Sequence, residues 1–191
     1  MAIDYRLSGI EKFPAALDDC LAAVAWTKQN IAHYGGDPNQ IFIGGHSAGG
    51  NLAALVTLRS DRHVFFGLEP GDIKACFPFS GIYDLRHSSR YAENPSIGSI
   101  DAWLTSQDDA HAASPICHTK NNVTPFFVSW SQYDAPLMLA QALPFVAALV
   151  ETGTSVKSHV FPAFDHFHIH LDQIRDANYF NDVLLRTMFP T

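Results

Sequence analysis

Residues 41–55 read IFIGGHSAGGNLAAL, and this junction carries the strongest signal in the chain. A short apolar run stops at a serine hemmed by glycines, and an alanine- and leucine-rich stretch follows at once. A turn that sharp around one hydroxyl needs neighbours without a Cβ. Gly45-His46-Ser47-Ala48-Gly49 fits G-x-S-x-G, the pattern in which a strand ends, a serine takes a strained conformation and a helix begins. Ser47 is therefore the candidate nucleophile. The Ala48 N–H, at the positive end of the following helix, is a candidate oxyanion donor.

A serine hydroxyl is a poor nucleophile until a base takes its proton, and the base needs an orienting carboxylate. In a sheet of this kind the partners follow in the order serine, acid, histidine, on loops after later strands. The apolar run TPFFVSW precedes SQYDAPL, which puts Asp134 on such a loop. The alternating run SVKSHVF precedes PAFDHFHIH, which offers His166. Asp84 in SGIYDL stands as a second candidate acid. Asp165 adjoins His166 and is expected to point away from its ring. His168 and His170 follow the base, and HFHIH read as a strand would set two rings on one face, as metal ligands do. No further cluster completes such a site in the sequence, so no metal is expected. His46 is read as a packing residue beside the serine and a candidate pocket wall.

Outward from this junction, apolar positions Phe13, Leu17, Leu21, Val24 and Ile31 recur at helical spacing, with Pro14 in the first turn and Gly35-Gly36 at the end. MAIDYRL is strand-like, QIFIGG reads as a buried strand, and a helix is expected from about Ala48 to Leu58. ACFPFSG is a strand candidate weakened by Pro78. DAWLTSQDDAHAA reads as a short helix, PLMLAQALPFVAALVETG as a helix with a kink at Pro144, and DANYFNDVLLRTMF as a closing amphipathic helix. Strands alternating with helices predict an α/β fold, a mostly parallel sheet flanked by helices.

The bulk properties narrow the function classes. A chain of 191 residues suits one domain, and 47% hydrophobic with 16% charged residues is a globular composition. A formal charge of −7 offers no footprint for nucleic acid or an anionic membrane. No run is long enough to span a bilayer. Cys20, Cys76 and Cys117 are odd in number and lack metal or redox spacing, so the expectation is a reducing, cytoplasmic setting.

Taken together, DYRL, FPAALDDCLAAVAW, GGDPNQIFIGGHSAGGNLAA, SGIYDL and DHFH resemble the hormone-sensitive-lipase-like and arylformamidase-like esterases of the α/β-hydrolase superfamily, over nearly all 191 residues. The resemblance implies a single α/β-hydrolase domain over 1–191, with 85–114 matching a small cap-like insertion. It implies a Ser47–His166–Asp134 triad acting on a small acyl or aryl ester without a cofactor. Opening of an N-formyl amide, as in an arylformamidase, is the alternative, as is a catalytically weak or inactive form. Tyr83, Trp103 and Trp130 are candidate pocket aromatics, against the plainer reading of core or cap packing. The family's HGGG-type oxyanion loop precedes the segment matched by DYRL, whereas here AIDYRL follows Met1 directly. The expectation is accordingly an N-terminally truncated sheet without its first three strands, whose exposed edge is covered in a homo-oligomer. Residues Ile3–Leu7 and the helix from Phe13 to Ile31 would lie in that interface.

Overall fold

In a computed structural model of the chain, residues 1–7, 11–86, 103–168 and 185–186 are described. Their elements run α1 (Ala15–Asn30), β1 (Ile41–His46), α2 (Ala48–Leu58), the one-turn α3 (Ser60–His63), β2 (Ile73–Phe79), α4 (Gln107–Ala112), β3 (Phe126–Tyr133), α5 (Pro136–Glu151) and β4 (Val156–Asp165). The strands form one parallel sheet in the order β1-β2-β3-β4. Chain order and sheet order coincide, so the loops at the carboxyl ends of the strands gather along one rim. That rim is where an open parallel sheet offers a site.

Local chemistry accounts for the boundaries. Helix α1 starts after Pro14, and its single-turn extension ends at Gly35, whose φ of 81° suits a residue without a Cβ. Ser106 caps α4 by accepting from the Asp109 N–H at 3.1 Å. Pro144 lies inside α5, and the helix continues through it to Glu151. Pro78 sits inside β2, where it pairs with Gly45. Toward β3 the Pro78 nitrogen has no hydrogen to give, and Cys76 with Phe79 are the residues in register there.

Two findings differ from the sequence reading. Residues 1–7 form no strand: the Arg6 guanidinium grips the Asp19 carboxylate at 2.9 Å and the Arg6 N–H reaches it too, which ties the segment to α1. Strand β1 is an edge among the described residues, so only Ile41 is buried along it. Helix α2, by contrast, is buried at every position from Gly50 to Leu58, wedged between α1 and the sheet. One core joins α1, α2 and β1 through Leu17, Leu21, Leu55 and Val56. A second joins α2, the central strands and α5 through Ala54, Val128, Phe145 and Leu149. Most of the expected cap, residues 87–102, and nearly all of the expected closing helix lie outside the described residues. No helix among the described residues is long and apolar enough to cross a membrane.

Candidate active site

The junction between β1 and α2 is held from both sides. Ser47 has φ 57° and ψ −117°, a conformation that costs energy for any residue with a Cβ. Its N–H donates to the Phe79 carbonyl at 2.9 Å, and its carbonyl accepts from the Gly50 and Asn51 N–H groups at 3.0 and 3.1 Å. The glycines around it are not equivalent. A Cβ on Gly45 would lie 2.3 Å from the Gly49 carbonyl oxygen, and one on Gly50 would lie 2.9 Å from the Phe79 oxygen. A Cβ on Gly49 would meet nothing within 4 Å. Gly45 and Gly50 permit the crossing of backbone on backbone, whereas Gly49 contributes its backbone to that crossing and has room for a Cβ.

His166 follows β4, which carries an irregular register where it meets the end of β3. Within that irregularity Ala163 has a φ of 65°, and its N–H donates to Gln132 Oε1 at 2.9 Å. The next residue but one, Asp165, accepts from the Phe167 and His168 N–H groups and from His168 Nδ1 at 2.6 Å. Those donors hold the Asp165 carboxyl down at about 2. Asp165 is thus engaged with the turn beyond it, and His168 is exposed. His170 lies outside the described residues.

The His166 ring bridges two partners: Nδ1 lies 2.6 Å from Asp134 Oδ1 and Nε2 lies 3.0 Å from Ser47 Oγ. With Nδ1–H donating to the carboxylate, the lone pair on Nε2 faces the serine hydroxyl. Asp134 is 5% exposed. Burial alone would raise its pKa, yet the donors on it win and hold the carboxyl below its ordinary value. Those donors are His166, the Ser80 hydroxyl and the Ser131 N–H, with the Ala135 N–H on Oδ1 at 2.9 Å. Asp84 instead pairs with the Arg86 guanidinium at 2.7 Å. The His46 ring lies against that of His166, centroids 4.6 Å apart, and against Phe79.

The three candidate pocket aromatics sit in packed surroundings. Tyr83 is 1% exposed and stacks on Phe145, and Trp130 is 8% exposed in the same cluster. Trp103 meets Phe13 edge-on at 5.4 Å and borders the first cluster. In the described structure Tyr83 and Trp130 are core residues, the plainer of the two readings weighed for them: their rings are consumed by side-chain packing. Ser80 was missed by sequence reasoning. Its only signal is position, the first residue after β2 on the rim that also carries Ser47 and Asp134. Among the described residues no three His, Cys, Asp or Glu side chains converge as a metal site would require.

Comparison with known proteins agrees with this arrangement of elements. The family described as alpha/beta hydrolase fold matches residues 1–170. Esterase LipQ of Mycobacterium tuberculosis is 34% identical over 179 residues, which is 83% of this chain and 40% of that protein. From the same organism, the probable carboxylic ester hydrolase LipM is 33% identical over 165 residues, 78% of this chain and 37% of its own. Among solved structures, the thermophilic carboxylesterase EstE1 from a metagenomic library superposes with a TM-score of 0.79 at 21% identity, over 98% of this chain and 68% of that one. An arylesterase structure gives 0.76 at 24% identity, over 97% and 64%. These two likenesses are likenesses of fold. The chain spans about 40% of the length of these two curated relatives.

Proposed function

Because the chain belongs to the alpha/beta hydrolase fold family, we propose that it is a serine carboxylic-ester hydrolase of small acyl or aryl esters. The observation that carries this reading is the His166 ring, 3.0 Å from Ser47 Oγ on one side and 2.6 Å from Asp134 Oδ1 on the other. His166 Nε2 takes the hydroxyl proton as Ser47 Oγ attacks the ester carbonyl carbon. Asp134 stabilises the imidazolium that forms. The tetrahedral intermediate collapses as the imidazolium returns its proton to the leaving alkoxide, giving an acyl-serine and an alcohol. Water, deprotonated by the same nitrogen, then releases the carboxylic acid and restores Ser47. The Ala48 N–H, first in α2, serves as an oxyanion donor on the developing negative charge.

The named relatives favour an ester over a formamide as substrate class, since both are described as ester hydrolases. The triad chemistry itself would serve either bond. Removing a single oxyanion donor costs ~10²–10³ in rate, so the number of such donors governs how fast this chain turns over. The test combines a fluorophosphonate probe with hydrolysis of p-nitrophenyl acetate in wild type and Ser47→Ala. Wild type should label and hydrolyse, and the variant should do neither while melting at the wild-type temperature. Turnover that survives in Ser47→Ala would refute the proposal. Labelling without turnover in wild type would mean a reactive serine with too few oxyanion donors.

A further inference from the structure

We propose that Ser80 is a positioning residue for Asp134: its hydroxyl, fixed at the end of β2, holds Oδ2 of the carboxylate so that Oδ1 stays aimed at His166. The proposal rests on the reading of Ser47, His166 and Asp134 as the reacting set. Four donors divide evenly over the carboxylate. Oδ1 takes His166 Nδ1–H at 2.6 Å and the Ala135 N–H at 2.9 Å. Oδ2 takes the Ser80 hydroxyl and, at a longer 3.2 Å, the Ser131 N–H. Ser80 is the closer of the two on its side. Without it, Oδ2 keeps one long bond in a buried place, and the carboxylate is free to turn away from the ring.

The fold spends strain and buried polar groups to keep that hydroxyl where it is. Ser80 is 1% exposed with a φ of 47°, uncommon for a residue with a Cβ. Its N–H donates to the Ser129 carbonyl at 2.8 Å, which locks it onto β3 beside the acid's own loop. The segment after it is pinned by three buried side chains. Gln141 Oε1 accepts from the Tyr83 and Asp84 N–H groups at 2.7 and 2.8 Å, while its Nε2 donates to the Asp84 carbonyl. Asn51 Nδ2 donates to the Ile82 carbonyl at 2.6 Å, and Ser114 Oγ accepts from the Leu85 N–H at 2.8 Å. Strain of this kind persists only where surrounding structure over-determines it. The neighbouring Ser131 hydroxyl, equally buried, has no hydrogen-bond partner among the described residues, so proximity to Asp134 alone does not make a donor.

Ser80→Ala and Ser80→Gly in the full chain test this. Glycine suits a φ of 47°, so a loss common to both variants belongs to the hydroxyl and not to the backbone. Both should lower kcat for p-nitrophenyl acetate ~10-fold with KM within ~2-fold, the size of one charge-assisted bond acting through another residue. A carboxylate free to turn weakens the bond that its Oδ1 accepts from the His166 Nδ1–H. The His166 Nδ1–H proton, a low-field resonance in proton NMR while that bond is short, should therefore move upfield or broaden by exchange in both. The ionisable groups facing the pair are His46, against the His166 ring, and Tyr83, whose phenol is pushed up by burial and in smaller part by the Asp134 charge. Neither changes in these variants. If Ser80→Gly keeps wild-type kcat while Ser80→Ala loses it, the backbone matters and the proposal fails. An Nδ1–H resonance that stays in place in both variants overturns it as well, whatever the turnover. A wild-type protein that fluorophosphonate does not label would sink the underlying reading, an outcome the Nδ1–H resonance tells apart because it needs no turnover.

Discussion

Replacing Gly45 and Gly49 by alanine, one at a time, separates two residues that the G-x-S-x-G pattern treats alike. At Gly45 the new methyl would sit 2.3 Å from the Gly49 oxygen, 2.4 Å from its carbonyl carbon and 3.0 Å from its Cα. All three are backbone atoms, so no side chain can rotate away. The two backbone segments would have to part by roughly 1 Å to recover ordinary van der Waals separation. They are the end of β1 and the first turn of α2, and α2 is buried along almost its whole length. Overpacking that the backbone must absorb costs about 3 kcal/mol, which for a chain of this size lowers Tm by roughly 6–12 °C. Ser47 lies between the two segments, and a displacement of ~1 Å at a reacting group costs ~10²-fold in rate. Gly49→Ala meets nothing and lies within α2, where alanine is better than glycine by about 0.5–1 kcal/mol. Differential scanning fluorimetry should therefore show Gly45→Ala well below wild type and Gly49→Ala at or slightly above it. Fluorophosphonate labelling should be lost or slowed in the first and kept in the second. Equal melting temperatures for the two variants would refute the steric argument.

Asp134 has a depressed pKa in the folded state, so its contribution to stability is full above the ordinary carboxylate value and is lost as pH falls through the folded one. The Tm of wild type relative to Asp134→Asn should therefore decline as pH is lowered from about 6 to about 3, and a constant difference would contradict this. Burial pushes the Cys20 and Cys76 thiols up to about 12; a thiol titration of the native protein at mildly alkaline pH should find them inert, with Cys117 reacting first and all three reacting in urea. The edge of β1 and the adjoining groove of about 350 Å³, lined in part by Met1, Ile3, Val24, Ile31 and Phe42, leave apolar surface and backbone groups to be covered. We propose a homodimer or larger assembly whose interface includes residues near Ile3–Leu7 and the helix from Phe13 to Ile31, and light scattering that gives a monomer at micromolar concentration would rule it out.

The linear order of residues was enough for the alternation of strands and helices and for the serine at the strand–helix junction, and it put Asp134 ahead of Asp84 as the candidate acid for His166. Each of these depends on spacing along the chain: a period of two or 3.6, glycines around one hydroxyl, an acid or a histidine just past a strand. That logic ranked Asp84 second without removing it, because both acids follow strands. Packing separates them, since Asp84 is drawn to Arg86 while Asp134 is buried under donors that hold it toward His166. Tyr83 and Trp130 read as core more readily than as pocket, and the stacking of Tyr83 on Phe145 and the cluster they share place both in the core. MAIDYRL alternates like a strand, yet the Arg6–Asp19 ion pair binds it to α1. Ser80, 54 residues from the carboxylate it contacts, carries no local pattern at all. Local periodicity is a property of neighbours in sequence, whereas burial, edge position and the choice of hydrogen-bond partner belong to groups that meet only after the sheet has closed.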